Sequence, residues 1–248
     1  MAAGLGPLLG TGKVAEVYAW GDDLVLKLYK AGVPKTSAFR EAAIVSLVER
    51  AGLPAPHVHS VGGELHNRWG VMMTRAEGQP FAPALTASPP SQPHLAALAA
   101  LHRQIHEVTE TQLPALKARL RTNIGRAAVL DTQCKDHLLA QLAALPDGNR
   151  LCHGDFHPWN VLGTPERATV VDWLDATSGT PAADVCRSYV LIAHASVLLA
   201  KTYVETYAKL TGLDVNEVWR WRPVVAGARL AEGVPDEEAA LLAMVNAG

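Results

Sequence analysis

Residues 151–162, LCHGDFHPWNVL, and residues 170–176, VVDWLDA, decide how this sequence is read. Asp155 stands five positions before Asn160, and Asn160 stands twelve before Asp172. Each polar group follows a short apolar, strand-like piece, at 150–153 and 168–172, so strand ends deliver these side chains onto loops. Pro158 and Trp159 favour a stiff loop over a helix between Asp155 and Asn160.

Outward to the N-terminus, residues 15–20 and 24–29 favour extended chain around the turn formers Gly21, Asp22 and Asp23, which predicts a β-hairpin. Period-2 alternation puts Val25, Lys27 and Tyr29 on one face and Leu24, Leu26 and Leu28 on the other. Lys27 is therefore carried on a rigid strand. A helix is expected next, with Thr36 or Ser37 as its cap and Gly52 with Pro54 as its stop. Helical phase puts Glu41, Ile44, Val45 and Val48 on one stripe and turns Glu41 inward, where a carboxylate needs a partner. A further strand is expected over 69–74. Gly78, Pro80, Pro83, Pro89, Pro90 and Pro93 then punctuate a connection, which predicts two lobes, 1–76 and 77–248.

Beyond that boundary Leu95, Leu98, His102 and Ile105 form an apolar helical stripe, residues 113–145 read as further helix, and helices return after Ala182. His102 reads as a satisfied core histidine. The expected fold is α+β, with a small antiparallel sheet and one helix before a larger, mostly helical part.

Composition bounds the possibilities. Hydrophobic residues at 49% with 19% charged describe a folded globule. The net charge of −2 gives no field for a phosphate backbone, so no nucleic-acid partner is expected. Cys134, Cys152 and Cys186 form no CxxC pair, which suggests neither a disulfide framework nor a zinc site and fits a reducing, cytoplasmic setting. The longest late apolar run, 189–200, is interrupted by His194 and is too short to span a bilayer. No membrane partner is expected.

At the other end LGTGKVAEVY carries Gly10 and Gly12 in a GxGxxA arrangement. A dinucleotide fold needs a helix directly after such a turn, and here a strand follows; a Walker loop fails at Pro7 and Val14. What survives is a glycine turn between strands, able to bring backbone amides close to phosphates. Protein kinases place His, Asp, Asn and a later Asp in the order seen at His153, Asp155, Asn160 and Asp172. There the first Asp accepts or orients the substrate hydroxyl, and the Asn and second Asp hold magnesium.

With these residues in place, the chain resembles the aminoglycoside phosphotransferase and choline kinase family, small-molecule kinases with a protein-kinase-like bilobal fold. That family's HGDxHxxN and DW segments match His153, Gly154, Asp155, His157 and Asn160, then Asp172 and Trp173. The resemblance takes in LGTGKVAEVY, VLKLY around Lys27, FREAAIVSLVERAGLPAPHV around Glu41, LAALHRQIH around His102 and PAADVCRSY around Asp184. It implies an ATP-dependent transfer of the γ-phosphate to a small-molecule hydroxyl. Lys27 would pair with ATP phosphates and with Glu41, Asp155 would be the catalytic base, and Asn160 with Asp172 would bind Mg²⁺. Gly10 and Gly12 would lie over the phosphates, adenine would dock near Met73, within 72–75, and His157 would either stabilise phosphoryl charge or brace the loop.

His153 is expected to brace the loop by hydrogen bonding, and Asp184 with Arg187 to act as a structural pair beneath it. Asp175 could serve a second metal or the acceptor, against simple solvation. Trp219 and Trp221 could line a pocket, against core packing. Two other classes use the same residues: a metallohydrolase with His153, Asp155 and His157 as ligands, and a nucleotide-binding pseudokinase module. The first leaves the glycine turn, Lys27 and Glu41 without work, and the hard oxygens of Asn160 and Asp172 suit Mg²⁺; the second is disfavoured because every expected catalytic residue is present. The acceptor, an aminoglycoside-like antibiotic, amino alcohol or related metabolite, is not fixed by the sequence.

Overall fold

The computed structural model describes residues 5–65, 67–109 and 112–247. In chain order the elements are β1 (Leu5–Thr11), β2 (Ala15–Trp20), β3 (Leu24–Tyr29), α1 (Thr36–Arg50), β4 (Val58–Leu65), β5 (Arg68–Thr74), α2 (Ala82–Thr86), α3 (Gln92–Glu107), α4 (Leu116–Arg126) and α5 (Thr132–Ala144). There follow β6 (Arg150–Cys152), β7 (Val161–Thr164), β8 (Arg167–Val170), β9 (Thr177–Gly179), α6 (Pro181–Ala195), α7 (Val197–Thr211), α8 (Val215–Trp219), α9 (Arg222–Arg229) and α10 (Pro235–Asn246). The chain divides into two compact units, Met1–Gln79 with Val161–Leu174, and Pro80–Asn160 with Asp175–Gly248. The hairpin of β7 and β8 thus joins the first unit from far along the sequence.

The first unit is built on a five-stranded antiparallel sheet in the order β1-β2-β3-β5-β4. The expected hairpin is present, with Val17 opposite Lys27 and Trp20 opposite Leu24. Strand β3 lies in the middle of the sheet, and Leu28 and Tyr29 are each 1% exposed. Helix α1 buries Ala38, Glu41, Ala42, Ile44, Val45 and Val48, the stripe the sequence predicts with Ala38 and Ala42 added. Its cap differs from expectation. Thr36 is already helical, no side chain caps the end, and backbone turns from Ser37 to Pro34 and Ala38 to Lys35 close it instead. Val170 N–H donates to the Pro54 carbonyl at 2.7 Å, and Trp173, fully buried, donates its indole N–H to the Val170 carbonyl. That anchor holds the segment in which Asp172 lies.

The second unit is helical apart from the short antiparallel pair β6 and β9, in which Leu151 faces Ser178. Its core includes Leu98, Ile105, Leu138, Phe156, Tyr203 and Trp221, none more than 1% exposed; burying such a side chain is worth about 1.5–3 kcal/mol. The expected helix over 113–145 is two helices. Asp131 breaks it, because its carboxylate accepts from Cys134 N–H at 2.7 Å and starts α5 afresh. The three cysteines are free, with Cys152 and Cys186 buried. Among the described residues no helix is long and apolar enough to cross a membrane.

Candidate active site

In the first unit, strand and helix periodicities converge on Glu41. Lys27 Nζ lies 2.6 Å from Glu41 Oε1, and the Tyr29 hydroxyl donates to Glu41 Oε2. Both donors come from one face of β3. Lys27 Nζ also donates to Asp172 Oδ1 at 2.8 Å. Burial alone would lower the Lys27 pKa, but the charges of Glu41 and Asp172 outweigh it and hold the ammonium well above its usual range. Lys27 is therefore a permanent cation. Asp172 sits in the left-handed region at φ 64, a conformation an aspartate tolerates better than most residues and one that clusters at functional sites.

Gly10 pairs with Val17, and Gly12 N–H donates to the Ala15 carbonyl at 2.8 Å. A Cβ at Gly10 would meet nothing within 4 Å, so the protein's own packing does not demand glycine there. Met73 lies in β5 between Val25 and Val58, 7% exposed. The amides after it are occupied, Thr74 N–H by the His57 carbonyl and Arg75 N–H by that of Asp23. Glu49 faces His57 at 2.8 Å and leaves Lys27 to Glu41.

In the second unit the loop 153–160 folds about its own polar groups. Asn160 Nδ2 donates to the Asp155 carbonyl at 2.9 Å and to Asp155 Oδ2 at 3.2 Å. His157 Nε2 stands 3.5 Å from the same Oδ2, and Arg187 Nη2 stands 3.7 Å from Oδ1. Burial would raise the Asp155 pKa, but the His157 hydrogen bond and the Arg187 charge override it and hold the carboxyl well below the usual range. Asp155 is thus ionised at neutral pH. Pro158–Asn160 form one turn of 3₁₀ helix where the sequence predicts a loop and no helix, since the fixed φ of Pro158 suits the first position of a helical turn.

Beneath this loop Asp184 is a saturated hub. Its Oδ2 accepts from His153 N–H at 2.7 Å, His102 Nε2 at 2.9 Å and His106 Nε2 at 3.2 Å, and its Oδ1 accepts from Gly154 N–H at 2.9 Å. Tyr203 and Tyr207 hydroxyls meet the Nδ1 atoms of His102 and His106, which fixes both rings with Nε2–H toward the carboxylate. His153 Nδ1 accepts from Asp155 N–H at 3.2 Å, the bracing role expected of it. Asp184 and Arg187 do not pair with each other. Arg187 Nε donates to the Gly154 carbonyl, and its Nη2 donates to Glu232 at 2.6 Å, so the two residues hold the loop separately.

The structure therefore groups Lys27, Glu41 and Asp172 in one unit and Asp155, His157 and Asn160 in the other. Asp175 is held by Arg119, whose Nη2 lies 2.6 Å from Oδ2. Trp221 is buried in the core and Trp219 packs edge-on against Tyr189. Among the described residues His153, Asp155 and His157 do not bring three ligand atoms within 4.8 Å of one another; His102, His106 and Asp184 do. Arg119, His106, Glu232 and the two tyrosines were not singled out from sequence. His106, four residues after His102, carried a helical-spacing signal; Arg119 carried none.

A comparison with curated proteins gave no match. Solved structures similar to this one include aminoglycoside phosphotransferase APH(4)-Ia, at 18% identity and TM-score 0.70 over 97% of this chain and 91% of that one. An aminoglycoside-3'-phosphotransferase of type VIII matches at 20% identity and TM-score 0.67, covering 94% and 93%. Aminoglycoside phosphotransferase APH(3'')-Id from Streptomyces rimosus, solved with ADP and streptomycin, matches at 20% and 0.65, covering 93% of each chain. These likenesses establish the kinase-like fold with its five-stranded antiparallel sheet and helical part. The sequence model of the phosphotransferase enzyme family (APH) matches residues 9–222, most of the length, and the chain belongs to that family.

Proposed function

We propose that the chain moves the γ-phosphate of ATP to a hydroxyl of a small molecule. The observation that carries this reading is the Lys27 ammonium, buried and held between Glu41 and Asp172. A permanent, positioned cation of this kind is what phosphoryl transfer asks of a protein, since that reaction is catalysed mainly by alignment and by offsetting charge on the transferring group. Structures of similar fold bound to AMP-PNP or to ADP support a nucleotide as donor.

Asn160 and Asp172 would hold Mg²⁺. Their chemistry fits, since the Asn160 amide donates through Nδ2 to Asp155 and so presents Oδ1, and Asp172 commits only Oδ1 to Lys27 and keeps Oδ2. Magnesium bound there would draw negative charge from the phosphates. Gly10 and Gly12 would let backbone amides approach the nucleotide, and the open space where a Gly10 Cβ would stand agrees with that use.

Asp155 would receive the acceptor. Its Oδ2 is taken up by Asn160 and His157, whereas Oδ1 has only the longer approach of Arg187, so Oδ1 is the atom offered to a hydroxyl. A carboxylate so acidic is a weak base; it orients the hydroxyl by accepting its hydrogen bond and takes the proton as transfer proceeds. His157 would either stabilise charge on the transferring group or brace the loop through its approach to Asp155.

Calorimetric titration of ATP with and without Mg²⁺, paired with an ADP-release assay over hydroxyl acceptors, tests the reading. Saturable MgATP binding and acceptor-dependent ADP release are expected. A folded sample that binds no nucleotide at millimolar concentration rejects it.

A further inference from the structure

We propose that the acceptor is a small organic anion with a hydroxyl group, recognised by Arg119 and Arg187 in a recess beside the Asp155 loop; this rests on the phosphotransferase reading. The recess lies wholly in the second unit. Gly154, next to Asp155, forms part of its wall. Leu116, Leu120 and Val225 give it an apolar side, and Arg119, Arg187, Arg229 and Glu232 give it a charged one.

The charged side is ordered for an anion. Glu232 accepts from both Arg187, at 2.6 Å, and Arg229, and so has little to offer an ammonium group. Asp184, also in the wall, is saturated by two backbone amides and two histidines. Arg229 spends all three of its nitrogens on Glu232 and Glu237. The other two guanidiniums keep donors in reserve. Asp175 engages Nη1 and Nη2 of Arg119 and leaves its Nε unpaired among the described residues. Arg187 uses Nε on the Gly154 carbonyl and Nη2 on Glu232, and leaves Nη1 unpaired among the described residues. The wall also holds Thr177, 1% exposed, whose buried hydroxyl finds no partner among the described residues.

A polycationic aminosugar would meet three guanidiniums and no uncommitted carboxylate. A carboxylate or phosphate ester would meet donors with room to bind it, and charge-assisted hydrogen bonds of this kind are the stronger ones. Such a group against the arginines would bring a neighbouring hydroxyl toward the Asp155 loop, since Arg187 touches both that loop and the recess.

The test is ADP release with MgATP and matched acceptors at equal concentration: glycerate, gluconate, glucuronate and sugar phosphates; neutral glycerol and glucose; and cationic serinol, glucosamine and kanamycin. An anion should be the best acceptor, with kcat/KM about tenfold or more above its neutral and cationic counterparts. Arg119→Gln should raise KM for that anion about tenfold more than it raises KM for the neutral counterpart, and Arg119→Lys should recover part of that difference. A residue that only held Asp175 would move both acceptors alike. Preference for a cationic acceptor, or a panel in which no anion is phosphorylated, overturns the proposal, and the wild-type ranking decides this even if the variants fold poorly. MgATP binding measured on the same sample separates the failures: without it the phosphotransferase reading falls, and with it only the acceptor class does.

Discussion

Asp172 accepts a hydrogen bond from Lys27 at 2.8 Å although 145 positions separate them, and both lie in the first structural unit. The contact ties a carboxylate proposed for the metal to the cation proposed for the phosphates. Asp172→Asn keeps the shape but removes the charge, so the concentration of Mg²⁺ needed for half-maximal turnover should rise about tenfold or more, and ATP binding should lose most of its dependence on magnesium. Titrating Mg²⁺ at fixed ATP checks this; an unchanged requirement would move the metal site elsewhere.

Asp155→Asn should fail differently. Turnover should fall by roughly 10²- to 10⁴-fold, the usual cost of losing a positioned acid–base group. MgATP affinity should stay within about threefold of wild type, because the Asp155 carboxylate is engaged by Asn160, His157 and Arg187 on its own loop and helix. Single-turnover kinetics and calorimetry on one preparation separate the two quantities. Because Asp155 titrates well below the ordinary carboxylate range, it should contribute no acid limb to the rate profile near neutrality.

Lys27 and Glu41 could be read from sequence because each lies in an element whose period fixes a face, and two inward-facing opposite charges have to meet. The loop 153–160 was legible from its spacing. Strand β4 was not, since VHSVGGEL combines two glycines and a histidine that weaken any strand pattern, and it is held by pairing to β5. The hub at Asp184 was half legible. His102 read as a core histidine, but its partner lies 82 positions away and only tertiary packing brings them together. Arg119 shows the limit most clearly: one of three arginines in α4, it acquires meaning only from the Asp175 backbone it holds.

Gly154 has φ 79, and a Cβ built there would collide with the Asp175 carbonyl oxygen and press on Arg119. Gly154→Ala should therefore cost about 1–3 kcal/mol through left-handed strain, before the clash is counted. Since the displaced groups are the Asp155 loop and the Arg119 contact, turnover should fall by more than stability alone explains. Urea unfolding and steady-state kinetics at a temperature well below the midpoint distinguish these. Wild-type kcat in a variant that is merely less stable would show that the loop tolerates the shift.

His102 should make the protein sensitive to acid. It is fully buried, stacked on Phe156 at 4.0 Å, and bonded to Asp184 and Tyr203. Burial, with the charge of His106, pushes its pKa down to about 3 in spite of the Asp184 contact. In the unfolded chain a histidine titrates near ~6.5. Between those two values the unfolded state binds a proton that the folded state refuses, so stability rises with pH there and is lost as pH falls from about 6.5 toward 3. The slope from this one group is about 1.4 kcal/mol per pH unit. Below about pH 4 the depressed carboxyls of Asp155 and Asp184 add to the loss, since each must take up a proton in the unfolded chain first. Urea unfolding at about pH 7, 6 and 5 isolates the histidine from those carboxylates. His102→Gln keeps a side-chain donor for Asp184 but cannot titrate, so the variant should start less stable and lose less between these pH values. An equal slope in the variant and the wild type would mean that His102 is not the group responsible.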